Sequence, residues 1–324
     1  MAYRFGQWFR FIPDGTSIPF MNGRFWGLGT SAVLSILSVV LFIWPGPNLG
    51  IDFTGGIVTE IRLAEKADFN QLRHEVDALG VGDAYLQAFG SEQDVLMRLP
   101  IQEGGDAAQQ QAVEKIRQTM AANHKGSEIR RVEVVGPTVS GELIHSGALA
   151  IGLGFLGMLI YIWVRFEWQY AIGAVATLLL DSTKLMGFFT VVAFQFNLSS
   201  IAAVLTIIGY SMNDKVVVYD RVRENLRKYK NMPLRQVIDL SINETLSRTI
   251  GTSVTTFLAI LPMTILGEKS LREFAIALEF GIVVGTSSSI FIAAPLLLLL
   301  GEGRLRKTIP ATQKKTDETL NNAA

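Results

Sequence analysis

The chain has 324 residues, 49% of them hydrophobic and 18% charged, with a mean hydropathy of +0.33. Soluble domains carry about 25% charged residues, so this composition excludes a small soluble enzyme and points to lipid. Lys and Arg number 29 against 29 Asp and Glu, which leaves no electrostatic case for nucleic acid as a partner.

Apolar runs of about 20 residues match the hydrocarbon thickness of a bilayer. Six such runs are predicted to span it: Trp26 to Trp44, Ser146 to Val164, Tyr170 to Val192, Ser199 to Tyr219, Thr249 to Leu266 and Phe274 to Leu299. The first ends in Trp44-Pro45-Gly46-Pro47 rather than a small-residue cleavage site, so it reads as an uncleaved anchor. Basic residues in short loops set the orientation. Arg4, Arg10 and Arg24 precede the first span, a cluster from Arg221 to Arg235 lies between the fourth and fifth, and Arg304, Arg306 and Lys307 follow the sixth. Both termini are therefore expected in the cytoplasm. This divides the chain into a cytoplasmic segment 1–25, a first span 26–44, an outside domain 45–143, spans two to six within 144–300, and a disordered cytoplasmic tail 301–324. The basic loop at 220–248 reads as an amphipathic helix broken near Pro233.

The outside segment carries its own fold pattern. Ile57 to Leu63 alternates like a half-buried strand. Asp68 is placed to cap a helix that runs through Leu79 and stops at Gly80. Strand-like runs follow at Ala84–Phe89 and Val95–Leu99, then a helix over Ala107–Asn123 and a strand over Ile129–Val135. The order β-α-β-β-α-β is that of a ferredoxin-like α+β domain. The expected fold is thus a six-span helical membrane protein with one small extracytoplasmic domain.

No motif for enzymatic chemistry stands in its required setting. Gly152-Leu-Gly154-Phe-Leu-Gly157 has the letters of a dinucleotide fingerprint but lies inside an apolar helix, so it reads as small residues for helix packing. Gly281, Gly285 and Ser289 form a second such stripe. Gly50-Ile-Asp52-Phe-Thr-Gly55-Gly56 lacks a phosphate-binding Lys and reads as a tight turn into the first strand. There is no Cys, and His74, His124 and His145 are too scattered for metal-ligand spacing, so neither metal nor cofactor is expected.

Charges inside the spans are the informative residues. Asp181 and Lys184 lie three apart on one face of the third span. The fourth holds Asn213-Asp214-Lys215, and the sixth holds Glu279. Each ionised group at a helix centre costs about 2.5–3.5 kcal/mol, so such groups pair, neutralise or line an ion path. For Asp181 and Lys184 a static salt bridge and an ion path weigh about evenly. Asp214, in a stretch made polar by Tyr210, Ser211 and Asn213, is the favoured ion carrier. Arg248, at the start of the fifth span, is its candidate counter-charge, or else a positive-inside anchor. Lys215 can snorkel to the cytoplasmic interface.

Three segments resemble the SecD/SecF family, in its SecF branch: Gly50 to Gly56, Gly136-Pro137-Thr138-Val139 with Glu142-Leu143, and Ile208 to Asp214 followed by Asp220 to Asn225. The resemblance runs from about Arg4 to Leu299. It implies half of an RND-type helix bundle, completed by SecD, that acts with the SecYEG channel to complete protein export on the proton gradient, or on sodium. Implied partners also include YajC, YidC, the translocating polypeptide and membrane lipid. By motif position Asp214 matches the family's intramembrane carboxylate, and Arg248 the arginine near it. Leu180 stands where the family usually carries His, before Asp181. Lys184, Lys215 and Glu279 depart from expected small, hydroxylated or apolar positions, and are candidate added members of the ion path. A non-coupling interaction subunit of the translocon and half of a small-molecule exporter are the alternatives.

Overall fold

The computed structural model describes residues 16–89, 91–166 and 168–300. Arg4, Arg10, Arg304, Arg306 and Lys307, and the tail expected at 301–324, lie outside the described residues. Two compact units form, one from Asn48–Ala150 with Gln195–Ile201 and the other from the remaining helical segments.

The first unit is α+β. Its chain runs β1 (Asn48–Leu49), α2 (Ile51–Thr54), β2 (Gly56–Arg62), α3 (Phe69–Asp77), β3 (Tyr85–Phe89), β4 (Ser91–Leu99), α4 (Gly105–Asn123) and β5 (Glu128–Val135). The main sheet has the order β3-β4-β2-β5 with every neighbour antiparallel, the ferredoxin-like arrangement. Period-two alternation sends Ile57, Ile61, Val95 and Met97 to the helix-covered face, where Leu72, Val76, Ile116 and Met120 complete a dry core. Val58 and Leu96 point the other way, to a small cluster with Ile51. Asp68 caps α3 by accepting from the Asn70 and Gln71 amides at 2.9 and 3.2 Å.

The Gly50 to Gly56 segment is more than a turn. Ile51–Thr54 forms the one-turn helix α2, and Gly55 and Gly56 follow with φ of +67° and +113°. A β-carbon on Gly56 would lie 2.3 Å from the Leu99 carbonyl oxygen, so the pairing of β2 with β4 needs glycine there. β1 pairs in parallel with the two-residue strand β6 (Gln195–Phe196), and Asp52 accepts from the Leu198 amide at 2.9 Å. The segment thus fastens a distant loop, a role that no local pattern announces.

His124, at the end of α4, bonds Glu75 of α3 at 2.8 Å, and Gln71 donates to the same carboxylate at 2.9 Å. Burial pushes the Glu75 carboxyl up, but hydrogen bonds from Gln71 and His124 outweigh it and hold the group below its ordinary 4.5. Its stabilising contribution is full above that ordinary value and is lost as pH falls through the lowered one. Glu75→Gln is expected to cost about 1 kcal/mol or less at neutral pH and nothing in strong acid. Unfolding of the two proteins across pH checks this, and a difference that grows toward acid would contradict it.

The second unit is built on helices. α1 is Arg24–Ile43, α5 is Pro137–Arg165 (its first part lies in the α+β unit), α6 is Trp168–Val192, α7 is Leu198–Lys228, α8 is Leu234–Leu266 and α9 is Lys269–Ser288. A π-helical segment, Ser289–Ala293, joins α9 to α10 (Ala294–Leu300). Among the described residues six helices are long and apolar enough to cross a membrane. The Arg-rich stretch is not a separate helix. α7 and α8 extend through it as a helical hairpin, because between Asp220 and Arg248 the one Gly or Pro is Pro233, which sits as the N-cap of α8. Arg221 locks the hairpin by donating to Glu244 at 2.7 Å.

Close helix approach follows the small residues, with one correction. β-Carbons on Gly281 and Gly285 would clash with Ile207 and Ser211 of α7 at 2.2 and 2.8 Å. In the Gly152 to Gly157 stripe only Gly154 meets a neighbour, Leu205, within 4 Å; Gly152 and Gly157 face none.

Candidate ion-coupling site

Asp181 of α6 is 2% exposed and is the hub of a buried polar cluster drawn from three helices. Its Oδ2 accepts from Lys215 Nζ at 3.0 Å and Ser211 Oγ at 3.0 Å, both on α7, and from Ser288 Oγ on α9 at 2.6 Å. Lys184 Nζ, one turn along α6, lies 3.5 Å from Oδ1. Lys215 also donates to Ser211 Oγ and, at 3.2 Å, to Ser288 Oγ. Spacing explains the convergence: Ser211 and Lys215 are four apart and Asp181 and Lys184 three apart, so each pair shares a helix face. Two cations on one carboxylate satisfy much of the desolvation that a lone buried charge would suffer.

Lys215 does not snorkel. It is fully buried, and its ammonium turns inward to Asp181 rather than outward to an interface. Adjacent residues on a helix point about 100° apart, so Asp214 faces another neighbour, Thr252 of α8, whose Oγ1 is 3.5 Å from Oδ1. Asp214 Oδ2 is buried with no hydrogen-bond partner. The expected Asp214–Arg248 pair is not formed at ion-pair distance. Arg248 is exposed on this chain, one turn before the Thr252 that does reach Asp214, and Asn213 is also exposed. Glu279 is buried on α9, with Oε1 unpartnered and outside the Asp181 cluster.

Beside the cluster, the π segment Ser289–Ala293 interrupts the regular ladder. Such single-turn bulges concentrate at functional sites. Tyr219 of α7, fully buried and edge-on to Tyr170, donates its hydroxyl to the Ala293 carbonyl at 3.1 Å. That bond satisfies an acceptor where the α-helical pattern lapses.

Residues 115–303, more than half of the chain, match the family model for the C-terminal part of the protein export membrane proteins SecD/SecF, and residues 45–67 match the SecD/SecF GG motif. The chain belongs to the SecD/SecF family. The SecF translocase subunit of Rickettsia akari is 44% identical over 278 residues, which cover 85% of this chain and 89% of that one. A SecDF translocase subunit of Brucella abortus is 46% identical over 276 residues, 85% of this chain and 36% of its own length. The crystal structure of SecDF from Thermus thermophilus, described as a translocon-associated membrane protein, superposes with a TM-score of 0.80 at 30% identity. That match covers 88% of this chain and 39% of the SecDF chain, so this member spans about two fifths of the SecDF it resembles.

Within this SecD/SecF member the geometry separates residues that sequence alone grouped together. Asp181, Lys184 and Lys215 share one cluster, whereas Asp214, Arg248, Asn213 and Glu279 stand apart from it. Ser288 and Thr252 were not singled out from sequence. The run Thr286-Ser287-Ser288-Ser289 inside an apolar helix was the available signal for the first. Thr252 is one of many helix threonines and carried none.

Proposed function

We propose that this chain is a SecF-type subunit of the bacterial protein-export machinery, coupling the proton gradient to late translocation. The observation that carries the reading is a pair of buried carboxylates in contrasting settings: Asp181 is held by three donors on Oδ2 and ion-paired to Lys184 and Lys215, whereas Asp214 has, among the described residues, no ion pair and one contact, with Thr252 at 3.5 Å. A carboxylate away from water and short of partners favours its neutral form, and a nearby cation opposes this. Protonation of Asp214 then alters its contact with Thr252, and the helices α7 and α8 repack around the change. One charge crossing the membrane supplies about 2.3 kcal/mol per 100 mV, enough to bias a two-state movement by tens of fold.

Several partners fit this reading. Arg248 and Asn213 are exposed at membrane depth on this chain, which supports a second helical bundle, SecD, packed over them. In the export machinery the chain is placed in the inner membrane with both ends in the cytoplasm. There it acts beside SecYEG, YajC and YidC on the translocating polypeptide.

The test uses inverted vesicles depleted of SecF and supplied with this chain and a compatible SecD. Late translocation of a stalled precursor is followed with and without a protonophore. Asp214→Asn is expected to lower rescue at least tenfold, to the level seen with the protonophore. Full rescue by Asp214→Asn would end the coupling reading. The second reading, a non-coupling interaction subunit, is favoured by the tight Lys215–Asp181 pair, which has the form of a static brace, and would then take over.

A further inference from the structure

We propose that Asp52 is the positioning residue through which movement of α7 reaches the α+β unit, a proposal that rests on the coupling reading above. The bond concerned is the one that the Leu198 amide donates to Asp52 Oδ2 at 2.9 Å. Leu198 is the first residue of α7, the helix that also carries Ser211, Asp214 and Lys215.

The amides of a helix's first turn have no partner within the helix. A local cap reaches the second or third of them. Asn197 does this for α7, where its Oδ1 accepts from the Ser200 amide at 3.1 Å. The Leu198 amide comes too early for that cap, and Asp52, 146 residues away in sequence, accepts it instead. A carboxylate at this end of a helix also meets the positive end of the dipole. The same loop is held by the pairing of β1 with β6 and by the Gly50 amide, which donates to the Phe196 carbonyl at 2.8 Å. Phe53 stacks on Phe196 with ring centroids 5.7 Å apart. All of these residues belong to the α+β unit.

Both sides of this joint are stiff. α2, which carries Asp52, is pinned to the sheet by Ile51, buried against Val58 and Leu96. Gly55 alone separates α2 from β2, the strand that is paired on both edges. α7 leaves the joint as one helix without proline, and from Ala202 onward it belongs to the helical unit. Sixteen residues separate Leu198 from Asp214, so at 1.5 Å each the carboxylate lies about 24 Å along the helix. Packed helices slide by about 1–2 Å when their interfaces switch. A 2.9 Å bond leaves hydrogen-bonding range after a slip of a few tenths of an ångström. A shift of α7 started at Asp214 therefore either breaks the whole joint or takes α2 and β2 with it. The bonds gathered on one short loop favour the second.

The chain has no Cys, so a designed disulfide can stand in for the bond. A β-carbon on Gly50 would lie 3.2 Å from the Asn197 β-carbon, close to the roughly 3.5–4.5 Å of a disulfide. Wild type, Asp52→Ala, Asp52→Asn, and Gly50→Cys/Asn197→Cys with and without Asp52→Ala are each assembled as full chains with a compatible SecD in inverted vesicles. Late translocation is divided into the part that a protonophore removes and the part that survives it. Asp52→Ala is expected to lower the first part at least fivefold and to leave the second unchanged. Asp52→Asn, which keeps an acceptor oxygen, is expected to retain at least half of the first part. Oxidising the cysteine pair is expected to restore that part to Asp52→Ala, and a membrane-permeant reductant to remove it again.

Full gradient dependence in Asp52→Ala overturns the proposal alone, as does an equal fall in both parts, the mark of a folding role. Equal loss in Asp52→Asn and Asp52→Ala overturns it too, because charge rather than the bond then matters. A disulfide that forms in full yet restores nothing has the same meaning. So does one that blocks the chain with Asp52 intact until it is reduced, since the joint then has to open. If wild type ignores the protonophore, or Asp214→Asn matches wild type, the coupling reading and this proposal fall together.

Discussion

Replacing Lys215 with methionine is expected to destabilise the protein by about 3 kcal/mol, because the change strips the shorter of two cation contacts from a carboxylate that is 2% exposed. Removing one member of a buried pair costs about 3–5 kcal/mol, and Lys184, still 3.5 Å from Asp181, holds the value at the lower end. The companion Asp181→Leu/Lys184→Met/Lys215→Met removes all three charges of the cluster, Lys184 included because Asp181 is its ion-pair partner. It is expected to recover most of the loss, since apolar groups of similar volume often replace a buried ion pair or triad at little cost. Thermal unfolding of the purified full chain in detergent, run on the single variants and the triple, reads the coupling. A Lys215→Met protein as stable as the parent would show that the ionised pair does not hold these helices together. Export measured on the same proteins would separate the brace from the coupling path.

A similar loss, about 3–5 kcal/mol, is expected from Gly56→Ala in the α+β unit. The residue sits at φ +113°, outside the range that L side chains adopt, and its new methyl would meet the Leu99 carbonyl oxygen at 2.3 Å. That oxygen belongs to β4, the strand against which β2 is paired, so the methyl and the central ladder compete for the same space. Gly80→Ala is the matched control. Its φ is +65°, yet a β-carbon there meets nothing within 4 Å, so only about 1 kcal/mol is expected. Limited proteolysis of the full chain in vesicles, read at sites within residues 48–135, ranks the two. Equal protection in both variants would mean that backbone strain, rather than the contact with Leu99, sets the need for glycine.

Much of the architecture was legible because it rests on local or periodic signals. Runs of apolar residues marked the six helices, and alternation with caps such as Asp68 marked the ferredoxin-like order. The helix ends were less legible. The polar residues beyond Tyr219 and before Thr249 read as an amphipathic helix broken near Pro233; they are helical on both sides of that proline, but as unbroken extensions of α7 and α8 beyond the apolar zone. The charged positions were also legible as positions, since an Asp or Lys in an apolar run is conspicuous. Their partners were not. Whether Lys215 meets Asp181 or the interface depends on how α7 is rotated against α6 and α9, which the clashes waiting at Gly281 and Gly285 decide. The tie from Asp52 to the Leu198 amide joins residues 146 apart, and no sequence window contains both.

The helix carrying Ser288 has a bearing of its own. A π turn holds one residue more than the α-helical turn it replaces, so the stretch from Lys269 to Leu300 is two screws joined with an offset in phase, not a single rigid screw. Each residue of such an offset corresponds to about 100° of rotation. Ser288 sits at its upstream edge, where its hydroxyl reaches Asp181 at 2.6 Å, and Ala293 at its downstream edge, where its carbonyl is held by Tyr219. Moving the offset by a single position toward Lys269 turns Ser288 out of register with Asp181 while both ends of the helix stay in place. The grip of α9 on the buried carboxylate is therefore set by where one surplus residue is stored, a geometric quantity that a change of one residue in length would reset.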